Sequence, residues 1–587
     1  MKNLCSLLLL AQTLAFAQYR TTMFPPVRGT REMVAAANNQ EVEAGFRILM
    51  QGGNAVDAGV ASVLAAAVTE QSRFGLGGEM PVIIKMAGKP PVVISGVGTA
   101  PAKATLEFFS SRRPEPWEDP HRMPPIPTHG ILAATVPGVF DGLILALKEH
   151  GTMSFASIAA PAIEYAEGFP IAEEFAGFLQ SYKRMIDLWP ASKSFFYPSG
   201  EPPRRGDIVR MPSLARTLRE LVAVERRQRG SRARKLEAVR NHFYKGSIAR
   251  RIGAFSQANG GLLTYEDMAT FRAESDQPVI GSFRGYQIVK PGFWTQGPVM
   301  IQALAILEGF DLKAMGHNSP QYLHTVVEAV KLAFADRDQH YGDPKFSKIP
   351  AEILLSAEYA RQRRGLIDPN RASMEHRPGL TSSPFSLSGS KASGVVQDTT
   401  CVNVVDRHGN VFTATPSGAW LPSVIAGDTG IPLGTRLQSL VTTPGHPNTL
   451  QPGKRPRITL SPTLVLRDGK PYLAMSTPGG DNQDQALLQV LLNILEFGMT
   501  PQEAVEAPRF QTEHFYASFG GHEFTPGKVS LEGRIPKETA DALESLGHRV
   551  TRQGDWGNSS APTVIQIRDG VLHGGADPRR ARFIFGR

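Results

Sequence analysis

The sequence predicts an α+β fold in which antiparallel sheets are covered by helices. Three observations carry that expectation. Apolar, β-branched runs come in pairs joined by turn residues, as at 401–406 with 411–415, 463–466 with 472–475 around Asp468-Gly469, and 564–567 with 571–573. Helical segments with cap residues stand in both halves of the chain, interspersed with the strands. The composition, 41% hydrophobic and 20% charged over 587 residues, is that of a globular protein long enough to bury a large core.

At the N-terminus, Met1-Lys2-Asn3 precedes a mostly apolar stretch that ends Ala15-Phe16-Ala17. A charged start, a short apolar run and an A-x-A-like end make a secretory signal, so residues 1–17 are expected to be removed and the protein to be periplasmic or secreted. Cys5 leaves with that segment, and Cys401 is then the one cysteine of the mature chain, which rules out an intrachain disulfide. No CxxC, HExxH or Walker A motif occurs, so neither a metal nor a cofactor is expected. No later run reaches the roughly 18 apolar residues of a membrane span; the stretch 55–68 is too short and contains Asp57.

Gly52-Gly53 ends one helix and Asn54 caps the next, whose small residues suit close packing. The glycines of Phe74-Gly75-Leu76-Gly77-Gly78 place backbone in tight turns or against another segment. Residues 81–86 and 92–95 read as strands around Gly88-Lys89-Pro90, 112–127 as an exposed loop, and 139–150, 152–167 and about 214–229 as helices. The net charge is +9, yet the basic run from Glu225 to Lys235 lacks interleaved aromatics. It reads as a solvated helix face or loop, and no nucleic-acid partner is expected. Thr264 and Asp267 have capping-box spacing; 279–289 reads as strands, and 299–307, 324–334 and 357–364 as helices, the last capped by Ser356. Residues 374–393 are Ser/Gly/Pro-rich and read as a flexible linker. Further on, 486–497 is an apolar helix, and Thr500-Pro501-Gln502-Glu503 starts another.

The junction Asp398-Thr399-Thr400-Cys401 opens a buried strand just after that linker. If the Asp398–Thr399 bond is cut, Thr399 gains a free α-amine beside its own hydroxyl, so one residue carries nucleophile and base. Thr415 and Ser417, two apart at the end of the next strand, point to one face and can hydrogen-bond the Thr399 amine or hydroxyl. Thr477-Pro478-Gly479-Gly480 ends a strand before a helix, and its glycine N–H groups can form an oxyanion hole.

Ordered motifs along nearly the whole chain resemble the γ-glutamyltransferase family of self-processing N-terminal-nucleophile hydrolases. They include Gly52-Gly53-Asn54-Ala55-Val56-Asp57-Ala58, Gly75-Leu76-Gly77-Gly78, Val136-Pro137-Gly138, Glu328-Ala329-Val330-Lys331, Gly342-Asp343-Pro344, Lys454-Arg455-Pro456, Pro478-Gly479-Gly480, Ala507-Pro508-Arg509-Phe510 and Asp577-Pro578-Arg579. The resemblance implies a four-layer αββα fold. It also implies autocleavage at Asp398–Thr399 into a large subunit, 18–398, and a small catalytic subunit, 399–587. Thr399 then falls on the catalytic threonine, Gly479 and Gly480 on the oxyanion-hole pair, and Ser417 on an assisting hydroxyl. The implied reaction moves a γ-glutamyl group, as from glutathione, through an acyl-enzyme to water or to an amino acid or peptide.

Departures from the family pattern concern the substrate. No arginine precedes Ala100-Pro101-Ala102-Lys103, where Ser95-Gly96-Val97-Gly98-Thr99 stands, and no acid follows Gly430-Ile431-Pro432-Leu433, which continues to Ser439. Ala419 replaces an asparagine, and Ile458-Thr459 replaces a pair of serines. Losing the partner of a buried charge typically costs about 3–5 kcal/mol, enough to change substrate preference. Arg436 can hold a carboxylate at a different place; Thr459 and Thr415 complete the candidate substrate contacts. Trp294 and Trp420, if they line the pocket, favour a more apolar acyl group. Two further readings stand beside the γ-glutamyl enzyme: an amidase or acylase of cephalosporin-acylase type, and an unprocessed, non-catalytic binding protein.

Overall fold

The computed structural model describes residues 22–387 and 398–587. The expected signal segment 1–17, the end of the expected linker from 388 on, and Gln397 lie outside the described residues.

Two seven-stranded antiparallel sheets form the centre. One runs, in spatial order, Phe583–Gly586, Met33–Ala36, Val402–Val405, Val411–Ala414, Met80–Lys85, Val92–Gly96 and Glu274–Asp276. The other runs Val27–Gly29, Val571–Ala576, Thr563–Arg568, Lys470–Ser476, Thr463–Arg467, Tyr286–Lys290 and Val279–Phe283. Both sheets mix strands from before and after Asp398, so neither half of the chain has a complete sheet of its own.

Three buried clusters mark the three interfaces of a four-layer αββα sandwich. The first lies between one sheet and helices that include Asn39–Met50, Ala55–Thr69, Val139–His150 and Phe155–Glu167. The second lies between the other sheet and helices Pro298–Leu307, Pro320–His340, Gln483–Leu495 and Pro501–Glu506. The third, with Met33, Ile83, Val405, Leu464 and Ile565, fills the space between the sheets. Continuous apolar strands are what a sheet covered on both faces requires.

Local signals place these elements. Asn54 and Asp57 form a capping box for Ala55–Thr69, a helix buried on every side, and Thr264 with Asp267 and Thr500 with Glu503 form two more. Asp468 and Gly469 both adopt positive φ, 52° and 72°, as a two-residue hairpin turn demands. Pro320–His340 extends the expected helix by four residues at its start and six at its end, where Asp336, Arg337 and Asp338 are buried in ion pairs rather than solvated. In the basic run, Glu225 is buried and accepts the Phe155 and Ala156 N–H groups, so it caps a neighbouring helix. The described part of the expected linker has no helix or strand, but it is docked. His376 Nε2 meets Asp338 Oδ2 at 3.2 Å, Gly379 N–H donates to Asp336, Phe385 N–H donates to Gln339, and Leu387 is buried.

Candidate active site

Val402–Val405 lies in the middle of its sheet, between Met33–Ala36 and Val411–Ala414. Val402 and Val404 face the first helical layer, and Val405 faces the other sheet. Asn403, fully buried between the sheets, donates to Thr563 Oγ1 at 2.9 Å and so ties one sheet to the other. This rigid strand carries Thr399 at its N-terminal end, with Thr399 bridged to Ser417 and Ser417 to Glu79.

Thr399 is 2% exposed, and its Oγ1 shares a hydrogen bond of 3.1 Å with Ser417 Oγ. Ser417 Oγ donates to the Asp398 carbonyl oxygen at 2.8 Å and accepts from Arg436 Nη2 at 3.3 Å. A serine hydroxyl has one proton. With that proton on Asp398, the Thr399 hydroxyl must be the donor to Ser417. Gln483 Nε2 lies 3.5 Å from Thr399 Oγ1 and brings the start of helix Gln483–Leu495 to that hydroxyl.

That helix start follows Gly479 and Gly480, which have φ of +124° and +55°. The first amides of a helical segment have no acceptor within it, so donors gather at this end. Phe519 packs on Gly480, where a Cβ would come within 3.3 Å of the ring, and the same ring lies 5.2 Å from the Arg436 guanidinium. The glycine pair, Thr399 and Arg436 therefore share one locale.

Asp398 is held from its other side. Its carboxylate meets Arg73 Nε at 2.7 Å and also pairs with Arg580, while the Thr399 N–H donates to its Oδ1 at 2.8 Å. Burial pushes this carboxyl up, but Arg580, Arg73 and Arg582 outweigh it and hold it below the usual range.

The remaining candidates divide. Arg436 is buried, pairs through Nε with Glu79, and lies 4.7 Å from the Trp420 ring centroid. Thr415 is buried next to the site, but its hydroxyl has no partner among the described residues. Thr459 is also buried, its hydroxyl without a partner among the described residues; it follows Ile458, whose carbonyl accepts from the Gln296 N–H, and the Gln296 side chain reaches the Gly480 carbonyl at 3.4 Å. Trp294 packs in the core between the sheets, under Arg455, and is a structural aromatic. Glu79 was missed by sequence reasoning. Its one signal was position, directly after Gly77-Gly78, whose Cα hydrogens face Pro432 and Ser417 too closely for any side chain.

Two other features are separate from this site. An open cleft of about 1120 Å³ lies at the opposite end of the strands, lined by hairpin turns such as Lys89, His408, Asp468 and Asp569. His324, Glu328 and His548 converge with metal-ligand chemistry, but they satisfy one another instead. His324 and His548 share a 2.9 Å hydrogen bond, and Lys331 occupies Glu328 at 2.6 Å. Burial and Lys331 push His548 down to about 2.

Comparison with known proteins agrees along nearly the whole chain. The family described as Gamma-glutamyltranspeptidase matches residues 42–586. Glutathione hydrolase proenzyme of Escherichia coli (strain K12) is 33% identical over 95% of this chain and 92% of its own. Acylase ACY 1 proenzyme of Pseudomonas sp. (strain SE83) is also 33% identical, over 90% and 88%. A solved structure of LmbA2991 superposes with TM-score 0.89 at 34% identity, covering 97% of this chain and 100% of that one. The cephalosporin acylase of Bacillus halodurans superposes with TM-score 0.83 at 29% identity, covering 97% and 98%.

Proposed function

The chain belongs to the gamma-glutamyltranspeptidase family, and from that premise we propose that it cuts itself at Asp398–Thr399 and then cleaves small acyl amides through a threonyl acyl-enzyme. It is an enzyme of the hydrolase and acyltransferase kind. The observation that carries the reading is the position of Ser417 Oγ, bonded at once to Thr399 Oγ1 and to the Asp398 carbonyl oxygen.

In the uncut chain, Thr399 Oγ1 bonds to the Asp398 carbonyl carbon. Its proton passes to Ser417 Oγ, and the Ser417 proton passes to the Asp398 oxygen, so charge never accumulates there. Collapse breaks the C–N bond, the nitrogen takes a proton, and an ester replaces the amide. Water then splits the ester, which leaves Asp398 as a new C-terminus and Thr399 with a free hydroxyl and amine. The products are the large subunit, 18–398 after signal removal, and the small one, 399–587.

In the cut enzyme the Thr399 amine takes the Oγ1 proton as the oxygen attacks the substrate amide. The Gly479 and Gly480 N–H groups receive the oxyanion, the leaving amine takes the proton, and water or an acceptor amine resolves the ester. Two observations favour an acylase-type donor over a γ-glutamyl one. No arginine stands in Ser95–Thr99, and the arginine that does reach the site, Arg436, already has a carboxylate partner in Glu79. The signal-like N-terminus supports a periplasmic or secreted enzyme, and among the described residues no helix is long and apolar enough to cross a membrane.

A denaturing gel of the purified protein, with N-terminal sequencing of its bands, tests the reading. Two bands are expected, the smaller beginning at Thr399. One band that persists after long incubation refutes self-processing and leaves the non-catalytic binding protein.

A further inference from the structure

Three polar atoms beside the nucleophile are buried with no partner among the described residues: Glu79 Oε2, Arg436 Nη1 and Trp420 Nε1. They converge. Glu79 and Ser417 exchange backbone hydrogen bonds of 2.9 Å in both directions, which puts Glu79 next to the assisting serine. Its carboxylate lies over Gly418, where φ is +99° and any Cβ would collide with it. Oε1 takes the Arg436 Nε–H, and the Arg436 Nη2–H goes to Ser417. The guanidinium is two hydrogen-bond lengths from Thr399 Oγ1, and the Trp420 and Phe519 rings, 6.0 Å apart and edge to face, both lie against it.

Buried polar atoms are ordinarily satisfied, and exceptions beside a nucleophile are what a ligand fills. Here the open atoms are one donor on a cation and one acceptor on its own counter-ion. The pair is already neutral, so an acyl carboxylate would bring an uncompensated negative charge into a buried site. A zwitterion would have to shed the water of two charges and find one open donor and one open acceptor in return. A neutral group avoids that cost, and the Trp420 and Phe519 rings favour an apolar body.

We propose that Glu79 and Arg436 are specificity-determining residues that select an uncharged acyl donor, one with an apolar or aromatic body and a neutral donor–acceptor group such as a carboxamide. The proposal rests on the reading of Thr399 as nucleophile. In the recognition mode it assigns, the carboxamide oxygen accepts from the open Arg436 Nη1, while Glu79 cancels the charge that a carboxylate would otherwise meet.

The test uses the processed enzyme and four para-nitroanilides: phenylacetyl, glutaric monoamide, glutaryl and γ-glutamyl. The two neutral donors are expected to exceed the charged ones in kcat/KM by about tenfold or more. In Glu79→Gln the Arg436 charge is uncovered, and glutaryl should gain about tenfold relative to the monoamide. A wild-type preference for glutaryl or γ-glutamyl overturns the proposal, as does an unchanged ratio in a processed Glu79→Gln. If that variant stays uncut, the wild-type series alone decides. Failure of all four anilides with normal processing overturns the proposal but not the Thr399 assignment; failure together with an uncut chain overturns both.

Discussion

Ser417 Oγ lies 2.8 Å from the carbonyl oxygen of Asp398, the oxygen of the peptide bond that precedes Thr399. A hydroxyl in that position can pass its proton to the carbonyl oxygen as the carbon becomes tetrahedral. Removing one such donor typically costs a factor of about 10²–10³ in rate. Ser417→Ala should therefore fold but cut itself slower by about that factor, measured by a gel time course from the uncut chain. Cutting at the wild-type rate would refute the relay.

Thr399→Ala removes the oxygen proposed to attack. It should give a single uncut chain with no amidase activity and an unchanged circular dichroism spectrum, because the Asp398 anchors remain. The appearance of normal subunits in this variant would move the nucleophile elsewhere, for example to Thr400.

Arg73 is buried and pairs with Asp398, Glu70 and Glu174. Breaking a buried ion pair by removing one partner typically costs about 3–5 kcal/mol, so Arg73→Met should be destabilised by that order at neutral pH. The pH dependence follows from Asp398. Its folded pKa lies below its unfolded one, near about 3.9, so its pairing stabilises in full above the unfolded value. That contribution fades as pH falls through the lower folded value. With Arg73 gone the folded pKa rises, and acid loss of stability should begin at higher pH than in the parent. Melting temperatures of uncut Thr399→Ala, with and without Arg73→Met, over the acid range check this; identical profiles would remove Arg73 as an anchor.

Gly418→Ala demands a left-handed conformation of an alanine and drives its Cβ into Glu79. Strained backbone of this kind costs about 1–3 kcal/mol before any clash. A lowered melting temperature and slow processing are expected together, since Glu79 and Ser417 move as one bridged unit. Full processing at unchanged stability would show that Glu79 is free to swing away.

Much of the molecule was legible because it is written locally. Cap residues, the Asp-Gly turn and strand alternation act over two to four positions, so Asn54, Thr264, Ser356 and Thr500 mark helix starts that the structure reproduces. Alternation likewise put Ser417 on the face of Thr399, where it now shares a hydrogen bond. Thr415 obeys the same rule, yet its hydroxyl has no partner among the described residues, because period alone says nothing of distance across the site. The length of Pro320–His340 and the docking of the segment after Met374 escape the sequence for one reason. Side chains buried in ion pairs or bonded to backbone N–H groups make polar sequence look like surface.

By itself, then, the sequence determined the helix caps, the hairpin strand pairs and the Gly479-Gly480 turn, since each depends on neighbours along the chain. Only the tertiary structure decided that Glu79 neutralises Arg436, 357 positions away, and that Trp420 and Phe519 close around the pair. Charge compensation depends on distance in space and on exclusion of water. Both are set when the strands after Asp398 are inserted among those before it.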